Sequence, residues 1–181
     1  MKKADLKLSH FVHAGEIAQT VVPAAFAPGI GVLCIYCGHI ESIIDRLLWF
    51  ILKVDRDGGE TITSGITSIS RKIKLLKQLA KVRGDPKFIT DLTAALDGIK
   101  TTFNHRNYLV HGGWEFGHVN QTTAGKFTFN ADRKQKRVAE TYDEARILSL
   151  IADAARIHSN LYRLLCVVTG FIKYQDDEQK A

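Results

Sequence analysis

The stretch Phe103-Asn104-His105-Arg106-Asn107-Tyr108-Leu109-Val110-His111 concentrates the side chains best suited to chemistry. Arg106 offers a planar, charged fork that matches the oxygens of a phosphodiester. His111 supplies an imidazole, the side chain that moves protons near neutral pH. Asn107 precedes His111 by four residues, so on a helix its amide can fix the ring. No group of carboxylates at metal-ligand spacing accompanies them. The matching reaction is metal-free RNA cleavage, in which a ribose 2′-hydroxyl attacks the neighbouring phosphate while imidazole transfers protons. At about 100° per residue, Leu92, Leu96, Ile99, Phe103 and Val110 fall within about 80° of Arg106. Asn107 and His111 follow at about 100° and 140° on the same side, so the trio is expected on the apolar stripe of its own helix. An unpaired charge on such a stripe is costly. Either the three satisfy one another structurally, or they line a cleft.

The segment from Arg106 to His111 resembles the R-x(4–6)-H motif of the HEPN superfamily, the helical "higher eukaryotes and prokaryotes nucleotide-binding" domains. Its spacer is four residues, with the polar Asn107 directly after the arginine. Helical order and the glycines after His111 extend the resemblance over roughly residues 31–174. The resemblance implies a four-helix up-down bundle that dimerises, joining two motifs into a metal-independent endoribonuclease site that needs no cofactor. Many members are toxins, with a cognate antitoxin protein as partner, or defence effectors. Others are catalytically silent modules that bind nucleotide, nucleic acid or a protein. Glu41 and Asp45, one turn apart on the first core helix, are candidates to orient Arg106 or His111; otherwise they form an exposed charged face.

The charge distribution points to an anionic partner. Of 181 residues with a net charge of +6, residues 61–140 hold 14 Lys/Arg against 6 Asp/Glu, while both flanks are slightly acidic. Nucleic acid is the first candidate and an acidic membrane the second, against the plain alternative of a solvated face. Arg71, Lys74, Lys77 and Lys81 follow at helical steps along one ridge. With the run Arg133, Lys134, Lys136 and Arg137, a turn or strand edge, they are the expected contacts to RNA phosphates.

These residues need elements to hold them. Residues 5–20 read as a short amphipathic helix, and 21–31 as a Pro/Gly connector. A helix follows at about 31–54, with Leu33, Cys37, Ile40, Ile44, Leu47 and Ile51 spaced as a packed seam. Residues 55–59 end it, and 61–68 read as a polar loop. A second helix, about 68–83, buries Ile69, Ile73, Leu76 and Ala80. Asp85-Pro86 then caps and opens a third helix running to about His111, where Gly112-Gly113 stops it. Segments 114–119 and 126–131 predict a β-hairpin, from the alternation of Trp114 and Phe116 and of Phe127 and Phe129. Thr141 and Glu144 form a capping box for a last helix over about 142–174. Its seam is Ile147, Ile151, Ala154, His158, Leu161, Leu165, Val168 and Ile172. At about 1.5 Å per residue that helix approaches 50 Å, so part of its apolar length is expected to cover a second copy.

The remaining signals are negative. Length and composition fit one mainly α domain over 1–181, with an N-terminal extension (1–30), a core (31–174, hairpin 114–131) and a polar tail (175–181). Cys34-Ile35-Tyr36-Cys37 lacks the second pair of a closed zinc site, and Gly29-Ile30-Gly31 lacks the third glycine of a dinucleotide fingerprint. Three cysteines suit a reducing, cytoplasmic setting. Residues 17–40 carry no formal charge with His39 neutral, but Pro23, Pro28 and three glycines argue against a membrane span.

Overall fold

The computed structural model describes residues 25–116, 122–129 and 135–170. The expected helix at 5–20, the side chains of Arg133 and Lys134, and Ile172 with the tail lie outside them. The described chain is mainly helical, with six helices and one three-stranded sheet.

Helix α1 (Ala27–Leu52) is the centre of the fold and packs against four of the other helices. All six seam residues expected on it are buried. It starts earlier than expected, because residues 27–31 are helical rather than a connector. Pro28 occupies the first turn, where its missing N–H costs nothing. Gly29 lets the last helix approach: a Cβ there would stand 2.8 Å from Ile147 Cγ2. By length and hydropathy α1 could also cross a membrane, as the core helix of a soluble protein can.

The first half of the expected polar loop at 61–68 belongs instead to a helix, α2 (Arg56–Ser64), while 65–68 are non-helical as expected. Asp55 caps it by accepting from the Gly58 N–H at 2.9 Å, and Arg56 pairs with Glu60 one turn on. Gly59 lies flat on Trp49, and the Trp49 indole N–H donates to Thr63. Thus α2 folds back along α1. Helix α3 (Ile69–Arg83) then runs parallel to α1, with Lys72 beside Glu41 and Asp45, and Arg83 reaching the Ile51 carbonyl.

The third helix is not continuous to His111. It divides into α4 (Pro86–Ala95), capped by Asp85 as expected, and α5 (Ile99–His111). Gly98, at φ 78°, makes the break in a left-handed conformation that favours glycine. The sheet has strands β1 (Gly113–Phe116), β2 (Thr122–Phe129) and β3 (Gln135–Tyr142) in that order, all antiparallel. It exceeds the expected single hairpin by a third strand, and Trp114 and Phe116 stand opposite Ala124 and Thr122. The β-branched pairs Thr122-Thr123 and Val138 with Thr141 suit strands, which the basic run between them obscured.

Helix α6 (Glu144–Val168) is capped by Asp143, which accepts from the Arg146 N–H at 2.7 Å. Thr141 belongs to β3, so the capping box does not form. The seam holds at Ile147, Ala154, Leu161 and Leu165, but Ile157 rather than His158 fills its middle. Gly29 faces Ile147 and Ile151 while His39 faces His158, so α1 and α6 run parallel. Among the described residues six helices stand where four were expected, and the first and last are parallel, whereas an up-down bundle of four would make them antiparallel.

Candidate functional site

Helix α5 sets the site. Its buried residues are Ile99, Thr102, Phe103 and Leu109. On a wheel of about 100° per residue they lie within about 60° on either side of Arg106. Arg106 therefore sits at the centre of the inward arc and is half-buried. Asn107 is half-buried at the edge of that arc, whereas His111 is exposed on the helix's last turn. The expected buried trio is thus corrected to one inward arginine with two flanking polar groups. The break at Gly98 is the cause, since Leu92 and Leu96 belong to a different helix and do not define this stripe.

The Arg106 guanidinium lies 5.6 Å from the Phe103 ring centroid, a cation–π contact within one turn. It also lies beside the Cys37 thiol of α1 and draws that thiol's pKa downward. Burial dominates, however, and pushes Cys37 up to about 11, so it is a neutral packing thiol. Among the described residues Arg106 forms no ion pair, and its Nε is buried with no hydrogen-bond partner.

Arg106 and Asn107 open onto a pocket of about 290 Å³ between α1, the start of α3 and α5. Lys100, Phe103 and Asn104 line it from α5, Glu41 from α1, and Thr67 to Ser70 from the entry to α3. His111 is not among its walls. Lys100, Ser68 and Ser70 were not singled out from the sequence. A signal existed: Lys100, Asn104, Asn107 and His111 follow at steps of 4, 3 and 4, one polar ridge along α5. The pocket takes the first three, and His111 continues the ridge beyond it.

Glu41 and Asp45 neither orient the motif nor form a free charged face. Both bind Lys72, whose Nζ lies 3.0 Å from Glu41 Oε1 and 2.9 Å from Asp45 Oδ2. Burial pulls the Lys72 pKa down, but its bonds to the two carboxylates outweigh that and leave it raised. Burial pushes Asp45 up, Lys72 pulls it down and Glu41 adds an upward push, for a net rise. The lysine is thus held in its charged form beside the two carboxylates.

On the other side of α5, His105 Nδ1 and the Tyr142 hydroxyl share a 2.9 Å hydrogen bond. Arg146 stacks over the Tyr142 ring at 5.0 Å and binds Glu140 at 2.7 Å. Burial, with Arg146 adding to it, lowers the His105 pKa against an upward pull from Glu140. This cluster ties the motif's helix to β3 and α6.

The basic ridge is real but separate. Arg71, Lys74, Lys77 and Lys81 are all exposed along α3, outside the pocket. Lys136 and Arg137 belong to the edge strand β3, opposite Thr128 and Phe127. Compared with protein-family models, with curated proteins and with solved structures, the chain finds no match in any of the three.

Proposed function

We propose that the chain is a metal-independent endoribonuclease of HEPN type, acting as a homodimer with a toxin or defence role. The observation that carries this reading is Arg106: a guanidinium without an ion pair among the described residues, half-buried and opening onto a polar pocket beside Asn107. A structural arginine at the centre of a buried arc would be paired, because an uncompensated buried charge costs several kcal/mol. An arginine that meets its anion only when substrate arrives explains the arrangement.

In the proposed reaction the ribose 2′-oxygen bonds to phosphorus and loses its proton to an imidazole. The bond from phosphorus to the 5′-oxygen breaks, and that oxygen takes up a proton. Arg106 stabilises the negative oxygens of the five-coordinate phosphate, His111 transfers protons, and Asn107 positions the ring or the ribose. The products are a 2′,3′-cyclic phosphate and a 5′-hydroxyl. A bundle dimer would bring His111 of one copy to the Arg106 pocket of the other.

A second reading, a catalytically silent module that binds nucleotide, nucleic acid or a protein, draws on one observation: His111 does not line the Arg106 pocket within a single chain. Incubation of the protein with total RNA in excess EDTA, beside His111→Ala, separates the two. Cleavage to 2′,3′-cyclic ends that disappears in the variant supports the nuclease. Cleavage that requires magnesium and leaves 3′-hydroxyl ends overturns it. RNA left intact by both proteins favours the silent module.

A further inference from the structure

We propose that the pocket between α1, α3 and α5 is a phosphate subsite in which Lys100, so far without a role, is the second cation beside Arg106. The proposal concerns binding and holds whether or not the chain cleaves RNA.

Two cations converge on this cavity from α5, and among the described residues the only carboxylate on its wall is Glu41. Glu41 shares Lys72 with Asp45, at 3.0 and 2.9 Å, so these three groups carry −1 and the +2 of Arg106 and Lys100 leaves an excess of one positive charge. No ion pair joins Glu41 to Arg106 among the described residues, although both line the same space. The Arg106 guanidinium lines the same cavity, where it can donate charge-assisted hydrogen bonds to an oxyanion.

The opposite wall is suited to the same ligand. It is the first turn of a 15-residue helix whose N-cap, Ser68, makes no side-chain capping bond and whose first turn carries no acidic residue. Such a turn presents backbone N–H groups and partial positive charge to an anion. The hydroxyls of Ser68 and Ser70 add donors at the same wall. Size narrows the ligand further. Pockets for whole small molecules run from about 300 to 1,000 Å³, so about 290 Å³ suits one phosphate group with water better than an enclosed nucleotide. The shared chemistry is a tetrahedral phosphate oxyanion, carried by an RNA strand or free in solution.

The test is a titration of the isotope-labelled full chain with inorganic phosphate, followed by amide NMR, against chloride at equal ionic strength. Saturable shifts centred on Ile69, Ser70 and Lys100 are expected. Lys100 is exposed, so Lys100→Gln should fold normally, and it should weaken phosphate binding about tenfold. RNA left intact in EDTA while phosphate still gives saturable shifts would fail the nuclease reading and leave this one standing, so the two failures are distinguishable. An uncleavable 2′-O-methyl oligoribonucleotide that competes with phosphate identifies a strand phosphodiester as the source; phosphate saturation without that competition identifies a free phosphate. Shifts that do not saturate, that spread over Arg71, Lys74, Lys77 and Lys81, or that survive Lys100→Gln undiminished would overturn the proposal.

Discussion

Lys72 is held 2.9 Å from Asp45 with only 7% of the lysine side chain exposed, an ion pair that joins α3 to α1 across their buried faces. The pairing fixes the start of α3, and with it one wall of the pocket that Arg106 enters. Asp45 Oδ1 remains buried without a hydrogen bond among the described residues, so the lysine is the main compensation for that carboxylate.

Removing the cation should therefore cost far more than an exposed pair would. Lys72→Met leaves Asp45 and Glu41 facing each other, and breaking such a buried pair costs about 3–5 kcal/mol. For a chain of this size, about 2–4 °C per kcal/mol puts the fall in melting temperature at roughly 6–20 °C. Adding Asp45→Leu should recover most of the loss, because a matched apolar replacement removes both charges. A melt unchanged by Lys72→Met would show that the pair does not hold the helices together.

A second expectation concerns acid. The His105 pKa is lowered in the fold, so the unfolded chain takes up its proton first as pH drops. The stability this group contributes is complete above about 6.5 and is lost as pH falls through the folded value. His158 is lowered too, by burial and by neighbouring His39, and adds to the same slope. Urea midpoints measured from pH 7.5 down to 5 should fall, and the fall should be shallower in His105→Asn. Parallel curves for the two proteins would mean that His105 does not titrate differently on folding.

Much of this architecture was legible in the sequence. The seam from Leu33 to Ile51 is buried throughout, and Asp85 and Pro86 open a helix where their chemistry says they should. The failures have local physical causes. Thr61 and Thr63 read as loop formers, yet their hydroxyls bond back to the Asp57 and Gly59 carbonyls inside α2. The third helix read as continuous to His111, whereas Gly98, in a left-handed conformation, divides it. Lys72 stands off the exposed ridge, about 100° round the helix from Arg71 and nearer the buried Leu76, but its two carboxylate partners lie 27 and 31 residues earlier, beyond what local spacing shows.

Glycine contacts yield a contrast within one protein. A Cβ at Gly59 would stand 2.4 Å from Trp49 Cγ, so Gly59→Ala must push the indole away from Thr63. Overpacking of this kind costs about 1–3 kcal/mol. At Gly31, inside α1, a Cβ meets nothing within 4 Å. Gly31→Ala should instead stabilise the fold by roughly 0.5–1 kcal/mol, the helix-interior penalty of glycine. Equilibrium denaturation of both variants checks the signs, and equal effects would contradict the packing of α2 on α1.

The separation of Arg106 from His111 makes the proposed dimeric site testable without a structure of the dimer. Arg106 faces inward to its pocket, and His111 is exposed beyond the pocket's walls on the same helix. If catalysis needs both, each active site takes its arginine from one copy and its histidine from the other. Arg106→Lys loses the bidentate fork and His111→Ala loses the proton carrier, so either homodimer should be inactive. Mixed and allowed to exchange, half of the dimers carry one copy of each kind. Such a mixed dimer keeps one intact arginine–histidine pair of its two, so activity should return to about a quarter of the unaltered level. A site confined to one chain contains a defect in every copy and returns nothing. Cleavage assays on the mixture, beside each variant alone, therefore decide whether the site is shared between copies.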